Sequence, residues 1–168
     1  MELKREMPLL SIEGLVTTFR MHGGTGNAVD EIYLDIGRGE TVGLVGESGC
    51  GKSMTAMSVM GLLPDMAKIT AGKILFAGED LAKYDRSKML KITGDRISMI
   101  FQEPMTSLNP VKTVGHQVRE AILLHQKVSR KEAKARVIDI FQKVGIPEPE
   151  RRYGQYPHQL SGGLRQRV

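Results

Sequence analysis

Eight consecutive residues, Gly46-Glu47-Ser48-Gly49-Cys50-Gly51-Lys52-Ser53, bring three glycines, a lysine and two serine hydroxyls into one short stretch. The spacing is G-x-x-x-x-G-K-[ST]. Glycines let the backbone fold tightly enough for several N–H groups to face a single anion. A helix starting near Lys52 adds the positive end of its dipole. Lys52 is placed to reach the β- and γ-phosphates of a nucleotide, and the Ser53 hydroxyl to bind Mg²⁺. A chance match to this pattern arises in roughly one chain in 170 of this length, given ordinary residue frequencies. The stretch reads as a nucleotide phosphate cradle.

A hydrolase built on such a loop also needs an acid on a second strand to hold Mg²⁺. Asp139 follows Val137 and Ile138 but falls inside a helical stripe. Asp30 and Glu31 follow Ala28 and Val29, yet they precede the loop and read as a turn into a strand. Neither serves.

The elements that must position the cradle are legible on both sides of it. Leu9 to Phe19 and Glu31 to Ile36 read as strands separated by the loop RMHGGTGN. Thr41 to Val45 is a compact apolar run suited to a buried parallel strand, and Arg96 to Phe101 reads as another. Between them, a helix is expected from Lys52 to Leu63, stopped by Pro64. The segment AGKILFAGED reads as a strand with a turn at Gly78. After Pro110 the period becomes helical: Val114, Val118, Ala121 and Ile122 share one face. Ser129 and Glu132 have capping-box spacing ahead of a stripe of Ala133, Val137, Ile140, Phe141 and Val144, with Gly145 and Pro147 as the stop. The expected architecture is an α/β part to about Gln102, followed by a helical part.

Composition restricts the classes. With 168 residues, 40% of them hydrophobic and 26% charged, the chain suits one globular domain rather than two or a disordered segment. The net charge of +5 is spread over 24 basic and 19 acidic residues, so it reads as solvated surface and no nucleic-acid partner is expected. Cys50 is the only cysteine, which rules out an internal disulfide framework and points to a reducing compartment. MELKREMPLL lacks the long apolar core of a signal peptide, and Ser53 to Pro64 is too short to span a bilayer.

Further motifs widen the reading. GESGCGKS, MGLLP, IFQEPMTSLNP, TVGHQ, YPHQLSGG and LRQRV follow one another in order over nearly the whole chain. Together they resemble the nucleotide-binding domains of ABC transporters, and specifically the ATP-binding subunits of dipeptide, oligopeptide and nickel importers. The resemblance implies an α/β P-loop NTPase fold of ABC type, incomplete: an antiparallel β subdomain and a partial parallel core sheet, then a helical subdomain. One truncated nucleotide-binding domain would run over 1–168, with its α/β part to about 102, its helical part over about 103–160 and its signature at 160–168.

Site residues follow position by position from the same resemblance. Phe19 matches the aromatic that stacks on adenine, although a lone aromatic of this kind also suits a core. Gly46, Glu47, Ser48, Gly49, Cys50, Gly51, Lys52 and Ser53 match the Walker A loop. Gln102 matches the glutamine that contacts Mg²⁺ and the attacking water, and Glu103 to Pro110 would face membrane-spanning subunits. Ser161, Gly162 and Gly163 match the signature, which in this family contacts the γ-phosphate of ATP held by a second ATP-binding subunit. Leu164 departs from the family's usual Gln or Met. The family's magnesium aspartate, catalytic glutamate and switch histidine come after the signature, so none is expected here; His158 precedes it and is not the switch.

The implied role is a peripheral subunit on the cytoplasmic face of the membrane, binding ATP and Mg²⁺. It would energise peptide or nickel import through permease subunits, and indirectly serve a substrate-binding protein. The alternatives are an ABC-type ATPase outside transport and a nucleotide-binding fragment without turnover. Met54, Met57 and Met60 read as core packing. His22, His116 and His125 lack metal-ligand spacing. Cys50, at a helix start beside Lys52, is a candidate reactive thiol.

Overall fold

The computed structural model describes residues 7–21, 23–101 and 107–168. The chain forms two compact units, Met1–Ser98 and Met99–Val168. In the first, strands β1 (Leu10–Met21), β2 (Gly24–Ile36), β3 (Ala67–Phe76) and β4 (Glu79–Asp80) form one antiparallel sheet in the order β2-β1-β3-β4. The hairpin between β1 and β2 is tighter than the sequence suggests, because ladder pairing continues to Met21 and Gly24. Ile12 and Ile74 face each other across β1 and β3, and both are fully buried. With Leu15, Val29, Phe76 and Leu81 they build a core that also takes in Val59 of helix α1 (Lys52–Met60) and Ile92 of helix α2 (Arg86–Ile92).

Helix α1 ends three residues before the expected Leu63. Gly61 adopts φ 64° and closes the helix by donating its N–H to Met57 and Ser58 carbonyls, so a left-handed glycine stops it ahead of Pro64. Met60 is buried and Met54 packs on the core, as a gap-filling role requires.

Thr41–Val45 and Arg96–Phe101 do not form the expected buried parallel strands. Among the described residues the parallel pairing amounts to one isolated bridge, Thr93 with Ile97. Val45 is 94% exposed and Ile100 91%. An apolar run becomes a strand only where a neighbour supplies its ladder partners, and apart from the single bridge at Ile97 no described segment pairs with either run.

The second unit is helical: α3 (Val114–His125), α4 (Arg130–Lys143), α5 (Pro149–Tyr153) and α6 (Gly162–Arg167). Ser129 caps α4, its hydroxyl accepting the Glu132 N–H at 3.1 Å. Val114, Ile122, Ala133, Val137, Phe141, Ile146 and Leu160 form the core of this unit. Three members of the expected stripes lie outside it: Ala121, Ile140 and Val144 are exposed. At about 100° per residue, Ala121 and Ile140 sit on the outer edge of their helical faces, while Val144 lies beyond the last helical residue.

Candidate phosphate site

The loop before α1 is exposed from Gly46 to Cys50 and folds around the Lys52 ammonium. Nζ donates to the carbonyls of Gly46 and Glu47, both at 2.6 Å, and to Cys50 Sγ at 3.2 Å. An ammonium has three N–H donors, and all three are engaged within the loop. Neutral carbonyls are weak holders of a cation compared with phosphate oxygens, so an incoming phosphate can take these donors over.

Backbone geometry depends above all on Gly51. Gly51 adopts φ 90°, and a Cβ there would lie 2.5 Å from the Ala28 carbonyl oxygen. A Cβ on Gly46 would lie 2.5 Å from Cys50 Sγ. A side chain at Gly51 would push α1 off the β2 backbone, while one at Gly46 would have to turn the Cys50 thiol aside. The helix start itself is bare: Gly51 provides no side-chain cap, and the first turn holds no acid. Its leading N–H groups therefore have no intrahelical partner and face no neutralising charge from their own helix. The arrangement fits an anion.

Ser53 is exposed in the first turn of α1. Among the described residues no group of three His, Cys, Asp or Glu side chains could hold a metal. A Mg²⁺ here would be held by the Ser53 hydroxyl and by phosphate oxygens, a donor set that suits this ion. His22 lies outside the described residues. The Cys50 thiol is pulled below its ordinary range, chiefly by the hydrogen bond from Lys52.

Phe19 is half-buried near the end of β1, paired with Gly26 on one side and Ala67 on the other, and it is not part of the core of its unit. Gln102 lies outside the described residues, as do Glu103 to Thr106. Of the remaining segment to Pro110, Leu108 packs on the helical core, and Asn109 exchanges hydrogen bonds with the Gln117 side chain.

Ser161, Gly162 and Gly163 are exposed at the start of α6 in the second unit. Ser161 is the N-cap, its hydroxyl accepting the Leu164 N–H at 3.4 Å. Leu160 and Leu164 anchor this turn in the core, and Arg167 donates to the Gly145 carbonyl at 2.7 Å. Leu164 thus packs inward, away from the exposed glycines. The sequence reading missed the Ala28 carbonyl beneath Gly51, and a buried hydroxyl pair, Thr17 and Ser58, that links β1 to α1. Thr17 carries a signal, a polar residue alternating with the inward Leu15; Ala28 carries none.

Comparison with known proteins gives four matches. The family model described as ABC transporter matches residues 29–168. The dipeptide transport ATP-binding protein DppD of Bacillus subtilis is 52% identical over 161 residues, 95% of this chain and 48% of that protein. The oligopeptide transport ATP-binding protein OppD of the same organism is 44% identical over 95% of this chain and 45% of its own. Among solved structures, the ATP-binding cassette MJ0796 bound to ADP and Pi superposes with a TM-score of 0.80 at 26% identity, over 94% of this chain and 66% of that one. The chain spans about half the length of the curated relatives it matches.

Proposed function

The chain belongs to the ABC transporter family, and from that premise we propose that it is the ATP-binding part of a subunit that powers peptide import. The observation that carries this reading is the Gly46–Ser53 loop: an uncapped helix start, two glycines in close contact and a lysine held at its centre. Lys52 and the leading amides of α1 bind the phosphates, and Ser53 holds Mg²⁺, which neutralises phosphate charge when bound. Phe19 takes the adenine face. Gln102 places water and metal.

Similarity to DppD and OppD favours peptide over nickel as the cargo and favours transport over an ABC-type ATPase outside it. The partners are then permease subunits, which the segment Glu103 to Pro110 meets, and a second ATP-binding subunit whose γ-phosphate faces Ser161, Gly162 and Gly163. A substrate-binding protein delivers the peptide. The place of work is the cytoplasmic face of the membrane. No helix among the described residues is long and apolar enough to cross a bilayer. We read residues 1–168 as one nucleotide-binding domain with an α/β part and a helical part.

The test is peptide-stimulated ATP hydrolysis by the assembled transporter in membrane vesicles. Lys52→Ala should abolish it, and cross-links from Ser107 should reach a membrane-spanning chain. Stimulation by nucleic acid instead of peptide would favour the non-transport reading.

A further inference from the structure

A phosphate loop works only if the helix behind it points at the phosphates. Against β3, the register of β1 shifts between Glu13 and Val16 and again between Val16 and Thr17; against β2 it shifts on both sides of Thr17. Irregularities of this kind re-aim side chains that a regular strand would place elsewhere. Here the result is a threonine hydroxyl inside the core: Thr17 is 0% exposed and lies 2.9 Å from Ser58 Oγ, itself 3% exposed. Ser58 donates its one proton to the Met54 carbonyl at 2.7 Å. Having no second proton, it must accept from Thr17. The hydrogen bonds therefore run in one direction, from β1 through Ser58 to the backbone of the first turn of α1.

The second hold on α1 lies close by on the sheet. Gly51 rests on the Ala28 carbonyl, and Val29, the next residue, is the β2 partner of Thr17. Two buried hydroxyls stabilise a core little better than an apolar pair of the same shape. What they add is direction, since a hydrogen bond fixes the rotation of the helix about its axis in a way that apolar packing does not.

We propose that Thr17 and Ser58 are positioning residues for the phosphate loop, holding the first turn of α1 so that its amides converge on the anion. The inference rests on reading Gly46–Ser53 as the ATP site.

The experiment is calorimetry on the full chain with MgATP and with tripolyphosphate, which carries the phosphates without base or sugar. Thr17→Val keeps the shape and removes the donor. It should raise Kd for both ligands about three- to tenfold, the worth of one hydrogen bond, and Thr17→Ser should restore it. Ile74→Val, which removes a methylene from the same core, should lower the thermal midpoint and leave both Kd values unchanged. Should Thr17→Val fail to fold, Ser58→Ala breaks the same link from the helix side and is read in the same way. Unchanged Kd values in these variants, or an equal rise in Ile74→Val, would overturn the positioning role. ATP affinity that does not respond to Lys52→Ala is a different result and overturns the nucleotide reading along with it.

Discussion

Cys50 is where the electrostatics of the loop can be read with a chemical probe. Its sulfur lies 3.2 Å from the Lys52 ammonium, and that hydrogen bond favours the thiolate. A lowered thiol pKa means that the reactive anion persists to lower pH. Alkylation rate plotted against pH should therefore reach half its plateau below the midpoint of an ordinary cysteine, and Lys52→Ala should move it back up. Coincident profiles for the two proteins would contradict the contact. Saturating MgATP should slow the labelling, because phosphates would draw Lys52 away and cover the loop. Gly51→Ala tests the backbone at the same scale. With φ 90° and a carbonyl 2.5 Å from the new Cβ, it should cost at least about 1–3 kcal/mol of stability from strain alone, measured by denaturant unfolding.

Helix α4 shows how element-scale signals translate into stability. Ser129→Ala removes the bond to the Glu132 N–H and should cost about 1 kcal/mol. Val137 is 0% exposed, so Val137→Ala should cost more, about 2–4 kcal/mol from lost burial and the cavity left behind. A larger loss for the cap than for the core residue, by chemical denaturation, would contradict the packing described. Helices α3 and α4 were legible in the sequence because their apolar period, and for α4 the Ser129 cap, act locally. The local geometry of Gly46 to Ser53, a glycine-bent loop running into a helix start, was legible for the same reason, because consecutive residues set it. Thr41–Val45 and Arg96–Phe101 show where such reading stops. Composition marked them as strands, but a strand is completed by a partner distant in sequence, and composition does not say whether one lies alongside. Ala28 beneath Gly51 was hidden for a related reason: its contribution is a backbone carbonyl, which every residue type possesses.

For the whole chain, the consequence is apolar surface in unusual places. Val45 and Ile100 are more than nine-tenths exposed, and Leu44 is half exposed. Surfaces of this kind bind apolar dyes and drive association. The 168-residue chain should bind such a dye and self-associate as concentration rises in light scattering; a strictly monomeric, dye-free protein would contradict the exposure. We also expect these residues alone to bind ATP without turning it over. The two acids weighed for the magnesium role do not meet it, since Asp139 lies in helix α4 and Asp30 on β2 of the antiparallel sheet, and general-base assistance is worth a factor of about 10²–10⁴.

Nucleotide binding by the loop is the claim on which partners, cargo and turnover all depend. Isothermal titration of MgATP into the wild-type chain and into Lys52→Ala tests it most directly. Saturable binding is expected in the wild type. Affinity should fall at least about tenfold, or about 1.4 kcal/mol, when the charge-assisted phosphate contact is removed. Equal affinities in the two proteins, or no binding in either, would contradict it.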